Sequence, residues 1–499
     1  MLQSMLRKLL APSAPDTSQR VVPLTSVLAI ASPVGDGWSV SLMAPGSSME
    51  SMPTAPATGA SELYLRGYQV EGIEYLTRYG RTILADETGI GKTVQALIAG
   101  RKLTDQRILV VAPKSASGVW VKEAMKWLGE TARTYEGPSR KRVDLDNATI
   151  LVTNYHLLRE VIARHPHWTL IIYDEAHKLR NRTRETLYGA ASRVSSSYVF
   201  FLTGTPIYSN AGDLWPMLNI IKPQAFNSYW GFVKLWAHMD HNGYGYMIHG
   251  VKNPKRLQRG LNRNGWMLRR LKKDVLKDLP EKFRDEWPLK MNSKQRKAYE
   301  QMANELVLKL DGEHDLAIPS KLALMTRLRQ LLVAPKLLGL DFEGAGEEAL
   351  KEELGETTDA AIIFTPFADA LPLLQKSLEK TGRPIRIIRG GSSAKGLAEA
   401  VAWFQSYEGP TEPILLCSLL MGTSWTATRA TRAYFLGYDW SPANNIQAED
   451  RIHRLGQKDF TYVKYIVHEG TIDEHLMDIL NEKTTVARLL LDMHKFVLP

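Results

Sequence analysis

One stretch of the chain, Asp86–Thr93, has the residue types and the spacing needed to bind a chain of phosphates. It lies between an apolar run, Thr82–Ala85, that predicts a strand and a run, Val94–Ala99, that predicts a helix. Glycines let backbone N–H groups turn toward an oxyanion, and the helix N-terminus adds its positive end. Lys92 can reach the terminal phosphates, and the Thr93 hydroxyl can bind Mg²⁺. The alternative is a glycine-rich turn with an incidental Lys-Thr pair.

Two adjacent carboxylates, Asp174 and Glu175, follow the apolar run Leu170–Tyr173, which predicts another strand. Asp174 can hold Mg²⁺, and Glu175 can orient and deprotonate an attacking water molecule. The alternative is an acidic pair that caps the next helix, but a phosphate loop upstream favours catalysis. Gln69, which precedes the loop, can hydrogen-bond the edge of an adenine or can be an ordinary surface residue.

Apolar runs that predict strands alternate with helical patterns in both halves of the chain. This predicts an α/β protein in which two parallel sheets are each covered on both faces. Ligands of such sheets bind at the carboxyl ends of strands, so polar residues that follow strands should share one crevice. In the first half these residues are Lys114, Thr153, Asp174, Glu175, His177, Thr203, Gly204 and Thr205. His177 and the segment Thr203–Thr205 would suit a sensor of the terminal phosphate.

The second half adds loops and basic residues that suit polyanions. The loops Gly390–Ser393 and Met421–Thr423 follow predicted strands and can donate to DNA phosphates. Arg451 and Arg454 are three residues apart, which predicts one helical face, with a pair of solvated arginines as the alternative. The basic run Arg269–Lys273 can add to a DNA-binding surface, or half of it can be a solvated helix face.

Composition limits the class of protein. The chain has 499 residues, a formal net charge of +10 and a pI near 9.3, which favours a polyanionic partner such as nucleic acid over an unspecialised basic surface. A single cysteine, Cys417, excludes a disulfide framework and a cysteine-based zinc site. No apolar run is long enough to span a bilayer, so we expect no membrane partner.

The motifs in their order resemble a known family. Asp86–Thr93, Asp174–His177 and Leu202–Pro206 are similar to motifs I, II and III of superfamily-two helicases. Met267–Pro280 resembles the segment that links the two lobes in the Swi/Snf-type ATP-dependent DNA translocases, and Gln447–Gln457 resembles their motif VI. The likeness covers about residues 65–497 and leans toward compact bacterial or viral and annealing-helicase-like members. Motif V is divergent, with Gly422–Thr426 in place of the usual Gly-x-Gly-Leu-Asn-like core.

This resemblance implies two RecA-like lobes that bind ATP and Mg²⁺. Catalytic roles are implied for Lys92, Glu175, Arg451 and Arg454, with the arginines acting as arginine fingers, and Mg²⁺ binding for Thr93 and Asp174. The expected cofactor-binding residues are Gln69, Asp86, Glu87, Thr88, Gly89, Ile90, Gly91, Lys92, Thr93 and Gln447. Coupling is expected at His177, Thr203, Gly204 and Thr205, and contacts to DNA at Lys114, Thr153, Thr365, Ser392 and Thr423.

The expected domains follow from the same reading. Residues 1–60 form a small β appendage with a linker, in which Val27–Val34 and Trp38–Met43 make a hairpin. Residues 61–285 form the first lobe, with a helical extension over about 207–280. Residues 286–356 form inter-lobe helices followed by an exposed acidic loop, residues 357–470 the second lobe and residues 471–499 bracing helices. Residues 236–255 are predicted to be an insertion, whose histidines are either solvated or bind a metal.

The function expected from the resemblance is a DNA-dependent ATPase that translocates on double-stranded DNA without processive strand separation. One alternative is a strand-separating DNA or RNA helicase. Another is an ATP-switched protein that acts on a partner such as RNA polymerase, docked through residues 1–60. The expected location is the cytoplasm for a bacterial or viral protein and the nucleus for a eukaryotic one.

Overall fold

The chain folds into two α/β units. A computed structural model describes residues 29–34, 37–42, 64–137, 148–183, 186–241, 245–312, 318–419, 425–478 and 480–481. Among these residues the division between the units falls between Val275 and Leu276. Each unit is built on a parallel sheet. The two parallel-sheet lobes expected from the sequence are therefore confirmed.

The first unit contains twelve of the described strands. They are β1 (Ala29–Val34), β2 (Gly37–Leu42), β3 (Tyr64–Leu65), β4 (Arg81–Leu84), β5 (Ile108–Ala112), β6 (Arg133–Thr134), β7 (Ile150–Asn154), β8 (His167–Asp174), β9 (Ser195–Leu202), β10 (His238–His241), β11 (Tyr246–His249) and β12 (Met267–Leu268). Its helices are α1 (Gly67–Tyr79), α2 (Lys92–Leu103), α3 (Ser117–Leu128), α4 (Leu158–Arg164), α5 (Leu187–Ala191), α6 (Trp215–Ile221), α7 (Tyr229–Trp236), α8 (Pro254–Arg263) and α9 (Lys272–Val275).

Seven strands of the first unit form one parallel sheet in the order β12-β4-β9-β8-β5-β7-β6. Successive residues of a strand point to opposite faces, so Leu109 and Val110 of β5 belong to different hydrophobic clusters. All residues of β5 are buried because helices cover both faces. The polar motifs of the first half lie at the carboxyl ends of the strands, as Asp174 at the end of β8 shows.

The second unit repeats this plan. Its strands are β13 (Lys282–Leu289), β14 (Ala361–Thr365), β15 (Ile385–Ile388), β16 (Ile414–Ser418), β17 (Arg432–Leu436) and β18 (Thr461–His468), and its helices are α10 (Ser293–Gly312), α11 (Ile318–Val333), α12 (Ala345–Glu356), α13 (Ala370–Leu378), α14 (Ala394–Gln405) and α15 (Pro442–Glu449). The strands form a parallel sheet in the order β13-β18-β17-β14-β16-β15. Alternate residues such as Ile362 and Ile363 again enter clusters on opposite faces.

The prediction of an exposed acidic loop at the end of residues 286–356 is wrong. Residues Ala345–Glu356 form helix α12, whose start is capped by the Glu347 carboxylate accepting from the Gly344 N–H at 2.9 Å. Glu353, on the same helix, accepts from the Lys464 ammonium at 2.7 Å and from the Tyr434 hydroxyl at 3.0 Å. The acidic residues thus make ordered contacts with the sheet, which charge content alone did not indicate.

The insertion at 236–255 contains the antiparallel pair β10–β11, in which the His238 and His249 rings stack with centroids 5.6 Å apart. In the part of the chain that the structure describes, no group of three or more potential ligands could hold a metal ion. His238, His241 and His249 are exposed, as the solvated alternative expects.

The predicted hairpin near the N-terminus is confirmed as the antiparallel pair β1–β2, and β3 extends it through Trp38 and Ser39 of β2. Apart from these strands, residues 1–63 lie outside the described residues. Over the ranges the structure covers, no helix has the length and apolar character needed to cross a membrane.

A stability prediction follows from Arg383, a buried guanidinium that joins α12 to the sheet. It donates to the carbonyls of Glu412 at 2.9 Å, Leu354 and Thr357 at 3.1 Å, and Asp359. Truncation in Arg383→Ala leaves these acceptors without their donor, so we expect the free energy of unfolding to fall by about 3 kcal/mol. Urea unfolding followed by circular dichroism measures the change.

The matched control is Arg389→Ala, because Arg389 is exposed in the same unit. Its free energy of unfolding should change by no more than about 0.5 kcal/mol. Equal unfolding midpoints for the two variants would contradict the role assigned to Arg383.

Candidate active site

The phosphate-binding loop spans the turn between β4 and α2. Gly89 and Gly91 have φ values of 84° and 83°, a left-handed region that favours glycine. At Gly91 an added Cβ would also lie 2.4 Å from the Gln69 side-chain nitrogen. The first backbone N–H groups of α2 have no acceptor within the helix, so they are available to an anion. The loop therefore has the backbone shape that its sequence predicted.

The loop lysine points back over its own loop. Lys92 Nζ donates to the carbonyl oxygens of Asp86 at 2.8 Å and Glu87 at 3.0 Å. Burial lowers the pKa of its ammonium from the ordinary value, while Glu175, Asp86 and Asp174 act in the opposite direction. The lysine is thus held at the loop by neutral acceptors, which anionic phosphate oxygens could replace.

Asp174 is fixed at the end of β8 by donors from two directions. Its Oδ2 accepts from the Trp120 indole at 2.9 Å, its Oδ1 accepts from the Glu175 N–H at 3.0 Å, and its carbonyl accepts from the Tyr155 hydroxyl at 2.7 Å. Burial, with the charge of Glu175, raises the pKa of Asp174 to about 6, although Trp120 and Lys92 lower it. A nearby cation would favour the ionised carboxylate.

Glu175 has a backbone conformation that non-glycine residues seldom adopt, with a φ of 51°. The residue is buried, and its Oε2 lies 3.3 Å from His177 Nδ1. Strained backbone of this kind concentrates at functional sites, so the geometry agrees with the catalytic interpretation of this pair.

The four residues expected to sense the terminal phosphate and to provide coupling lie together. His177 Nδ1 is 3.2 Å from Thr203 Oγ1 and 3.5 Å from Thr205 Oγ1. An added Cβ at Gly204 would lie 2.8 Å from Thr88 Cγ2, so this segment lies directly against the phosphate loop. A shift of the phosphate loop would therefore displace Gly204.

A magnesium–nucleotide complex fits this donor set. The loop offers an ammonium, backbone N–H groups and the Thr93 hydroxyl, and Asp174 supplies one carboxylate. Mg²⁺ in nucleotide sites is commonly bound by one or two carboxylates together with phosphates and water, so a larger cluster of ligands is not required. Gln69 is buried beside the loop, where its Oε1 accepts from the Arg66 N–H at 2.9 Å.

Asp86 and the basic run do not lie where the sequence placed them. Asp86 was expected to bind the cofactor, but its side chain is fully buried and accepts from Arg270 Nη2 at 2.6 Å and Nε at 3.1 Å. Arg269, Arg270 and Lys272 are only 4%, 9% and 6% exposed. They are therefore neither a DNA-binding surface nor a solvated face; of this run only Lys273 is exposed.

The arginine motif of the second unit also differs locally from its prediction. Helix α15 ends at Glu449, so Arg451 and Arg454 lie in the turns that follow and not on a helical face. Both nevertheless converge, because each Nη1 donates to the Trp425 carbonyl at 3.2 Å. Gln447 lies on α15, two residues before its end.

The residues expected to contact DNA divide into two groups. Lys114 and Ser392 are exposed. Thr153 and Thr365 are fully buried, so their hydroxyls cannot reach a polymer in this structure. Thr423 lies outside the described residues.

Two family models match the chain. The model of the SNF2-related domain matches residues 68–337, and the model of the helicase conserved C-terminal domain matches residues 346–456. The chain is 25% identical over 476 residues to the SWI/SNF chromatin-remodeling complex subunit snf22 of Schizosaccharomyces pombe. The aligned region covers 87% of this chain and 28% of that relative.

A second relative is the DNA annealing helicase and endonuclease ZRANB3 of Bos taurus, 27% identical over 453 residues, or 86% of this chain and 40% of the relative. The chain thus spans less than half the length of either protein. Among solved structures it is similar to the Sulfolobus solfataricus SWI2/SNF2 ATPase core in complex with dsDNA, with 25% identity, a TM-score of 0.40, and coverage of 86% of this chain and 92% of that one.

A pH prediction follows from His177. Burial, with the charges of Lys178, Arg180 and Lys92, lowers the pKa of its ring to about 3. We therefore expect a neutral ring from about pH 5 to about pH 9, whereas an unperturbed histidine titrates near pH 6.5. NMR of ¹³C-histidine-labelled protein, with the resonance assigned by its loss in His177→Gln, tests this; a midpoint near neutrality would contradict it.

The same shift has a consequence for stability. The unfolded chain binds a proton at this histidine at a higher pH than the folded chain does, so protonation favours unfolding below about pH 6.5. The contribution of His177 to stability is thus complete above that pH and decreases as the pH falls toward about 3.

Proposed function

The chain belongs to the SNF2-related family, and we propose that it hydrolyses ATP in response to double-stranded DNA and moves along the duplex without separating its strands. The observation that carries the proposal is the convergence of Lys92, Asp174 and Glu175 at one edge of the first sheet, where each charge affects the pKa of its neighbours. The names of the similar proteins, among them a chromatin-remodeling subunit and an annealing helicase, agree with action on DNA.

Each residue of the site has a role in this proposal. Lys92 holds the terminal phosphates, and Thr93 with Asp174 holds the metal ion. Glu175, fixed by its backbone conformation, orients the attacking water and takes its proton. Magnesium, when bound, neutralises phosphate charge.

His177 is the residue that connects Glu175 to the following strand. Its neutral ring lies within 3.3 Å of Glu175 Oε2 and 3.2 Å of Thr203 Oγ1. We infer that a change at the water-activating carboxylate is passed to Thr203–Thr205, the segment expected to sense the terminal phosphate.

Arg451 and Arg454 complete the proposed machinery as arginine fingers. A guanidinium stabilises the charge that spreads over a transferring phosphoryl group. Both side chains are oriented by one backbone carbonyl, that of Trp425, so they can act as a unit.

Contacts to DNA are assigned to the exposed pair Lys114 and Ser392. Such contacts go to phosphates, and they position the protein without reading sequence. The net charge of +10 adds long-range attraction for a polyanion. Binding should therefore weaken steeply with salt and depend little on sequence.

The test is ATP turnover with no polymer, single-stranded DNA, duplex DNA and duplex RNA. We expect duplex DNA to give the strongest stimulation, and Glu175→Gln to reduce turnover by at least about a hundredfold because the water loses its base. Glu123→Gln is a control, since Glu123 lies on α3 and accepts from the Trp127 indole.

The other outcomes identify the alternatives. Efficient displacement of a strand from a tailed duplex would contradict translocation without strand separation and favour a helicase. Turnover that no polymer alters would contradict DNA dependence and favour an ATP-switched protein with a protein partner, sought first through residues 1–60.

A further inference from the structure

The segment Arg269–Lys272, at the end of the first unit, makes several hydrogen bonds to the phosphate loop and to residues beside it. Arg269 Nη1 donates to the carbonyls of Ala85 at 2.6 Å and Gly204 at 2.9 Å. The Lys272 N–H donates to Glu87 Oε2 at 2.6 Å. These contacts join the segment to both the phosphate loop and the loop that follows β9.

Between them lies the ion pair of Arg270 with Asp86. Its Nη2–Oδ2 distance is 2.6 Å, and the side chains are 10% and 0% exposed. The guanidinium also donates to Gln95 Oε1 at 2.8 Å and to the Tyr68 carbonyl. Arg270 thereby joins the loop to α1 and α2, with partners for both charges, as burial requires.

The same segment of chain continues into the second unit, where it is bonded to the arginine motif. Lys282 Nζ lies 2.7 Å from Glu449 Oε2, and Arg284 Nε lies 3.3 Å from Glu449 Oε1. Tyr465 donates to the same carboxylate at 2.7 Å. Glu449 is 1% exposed and lies two residues before Arg451.

A further contact joins the segment to the arginine motif. His453 Nε2 is 2.9 Å from the Pro280 carbonyl. The segment 269–284 therefore contacts nucleotide-handling motifs at each of its ends, although its two ends belong to different units.

We propose that residues 269–284 are a positioning segment for ATP hydrolysis, which holds the phosphate loop through Asp86 and the arginine motif through Glu449. The proposal rests on the proposed function. It assigns Arg270, Lys282 and Arg284 as positioning residues, which act through Asp86 and Glu449.

The contacts at the first end bear directly on the lysine of the loop. Asp86 accepts from Lys92 Nζ with its carbonyl while its carboxylate is held by Arg270. A shift of Asp86 would therefore move an acceptor of the phosphate-binding ammonium. Small displacements of groups that position a substrate have large effects on binding and rate.

The first test uses the double variant Asp86→Asn/Arg270→Gln in the full chain. Replacing both partners leaves no buried unpaired charge, so the double variant should destabilise the fold less than either single variant. The control is Arg101→Gln/Glu130→Gln, which removes a two-point ion pair of the same unit, with N–O distances of 2.5 and 2.6 Å.

The readout is the dissociation constant of a fluorescent ADP analogue with Mg²⁺, measured without polymer. We expect an increase on the order of tenfold for Asp86→Asn/Arg270→Gln and no change for the control, because only the first pair holds the loop. Unchanged affinity in both variants would overturn the role of Arg270.

The second test uses Glu449→Gln, with Glu353→Gln as its control. Glu353 has the same kinds of partner in the same unit, namely Lys464, Arg432 and Tyr434. A residue that positions arginine fingers should affect the transition state and not nucleotide binding. We expect kcat with duplex DNA to fall on the order of tenfold in Glu449→Gln, with ADP affinity unchanged.

These results distinguish positioning from a general loss of structure. Equal kcat in Glu449→Gln and Glu353→Gln would overturn the role of Glu449. If the proposed function is wrong, duplex DNA will not stimulate ATP turnover by the unaltered protein. The ADP-affinity measurement does not depend on DNA, so it would still test the role of Arg270. If Asp86→Asn/Arg270→Gln does not fold, Arg270→Lys, which keeps the charge but not the forked contacts to Asp86 and Gln95, replaces it in the same measurement.

Discussion

Burial of the central strands of each parallel sheet on both faces is the constraint on which this structure depends. Every residue of β5 and β14 is buried, so a polar side chain in the middle of these strands would lose its hydration without a partner. Groups that do chemistry are thereby confined to the strand ends. Asp174 shows the result, because it is the last residue of β8 and is held by donors from Trp120 and Glu175.

The features that could be predicted from sequence are those encoded by adjacent residues. The phosphate loop depends on glycines within one turn, and the carboxylate pair depends on one strand end, so contiguous sequence contained both. The alternation of apolar runs with helical patterns likewise predicted two parallel sheets. The contact between His177 and Thr203 was also within reach, because both residues follow strands that are neighbours in the sheet.

The features that were missed depend on partners far apart in the chain. Arg270 and Asp86 are separated by 184 residues, and nothing near either residue indicates the pairing. A run of basic residues was therefore assigned to the surface. The Trp120 indole, which holds Asp174, has no sequence signal beyond its place in an apolar helix face. The acidic residues of α12 were misjudged for the same reason, since the Lys464 partner of Glu353 lies more than a hundred residues away.

The electrostatics of the site explain why these supports are needed. Burial raises the pKa of Asp174 and lowers that of Lys92, so each charged form is less stable there than in water. Mutual attraction offsets part of this cost, and a divalent cation carried by phosphates would offset more. A buried charge is costly unless neighbouring groups hydrogen-bond it. The Trp120 indole holds the carboxylate of Asp174, and the Tyr155 hydroxyl holds its backbone carbonyl. Arg270 holds the loop that carries the ammonium. The arrangement of the charged groups is thus maintained by residues outside the proposed chemistry.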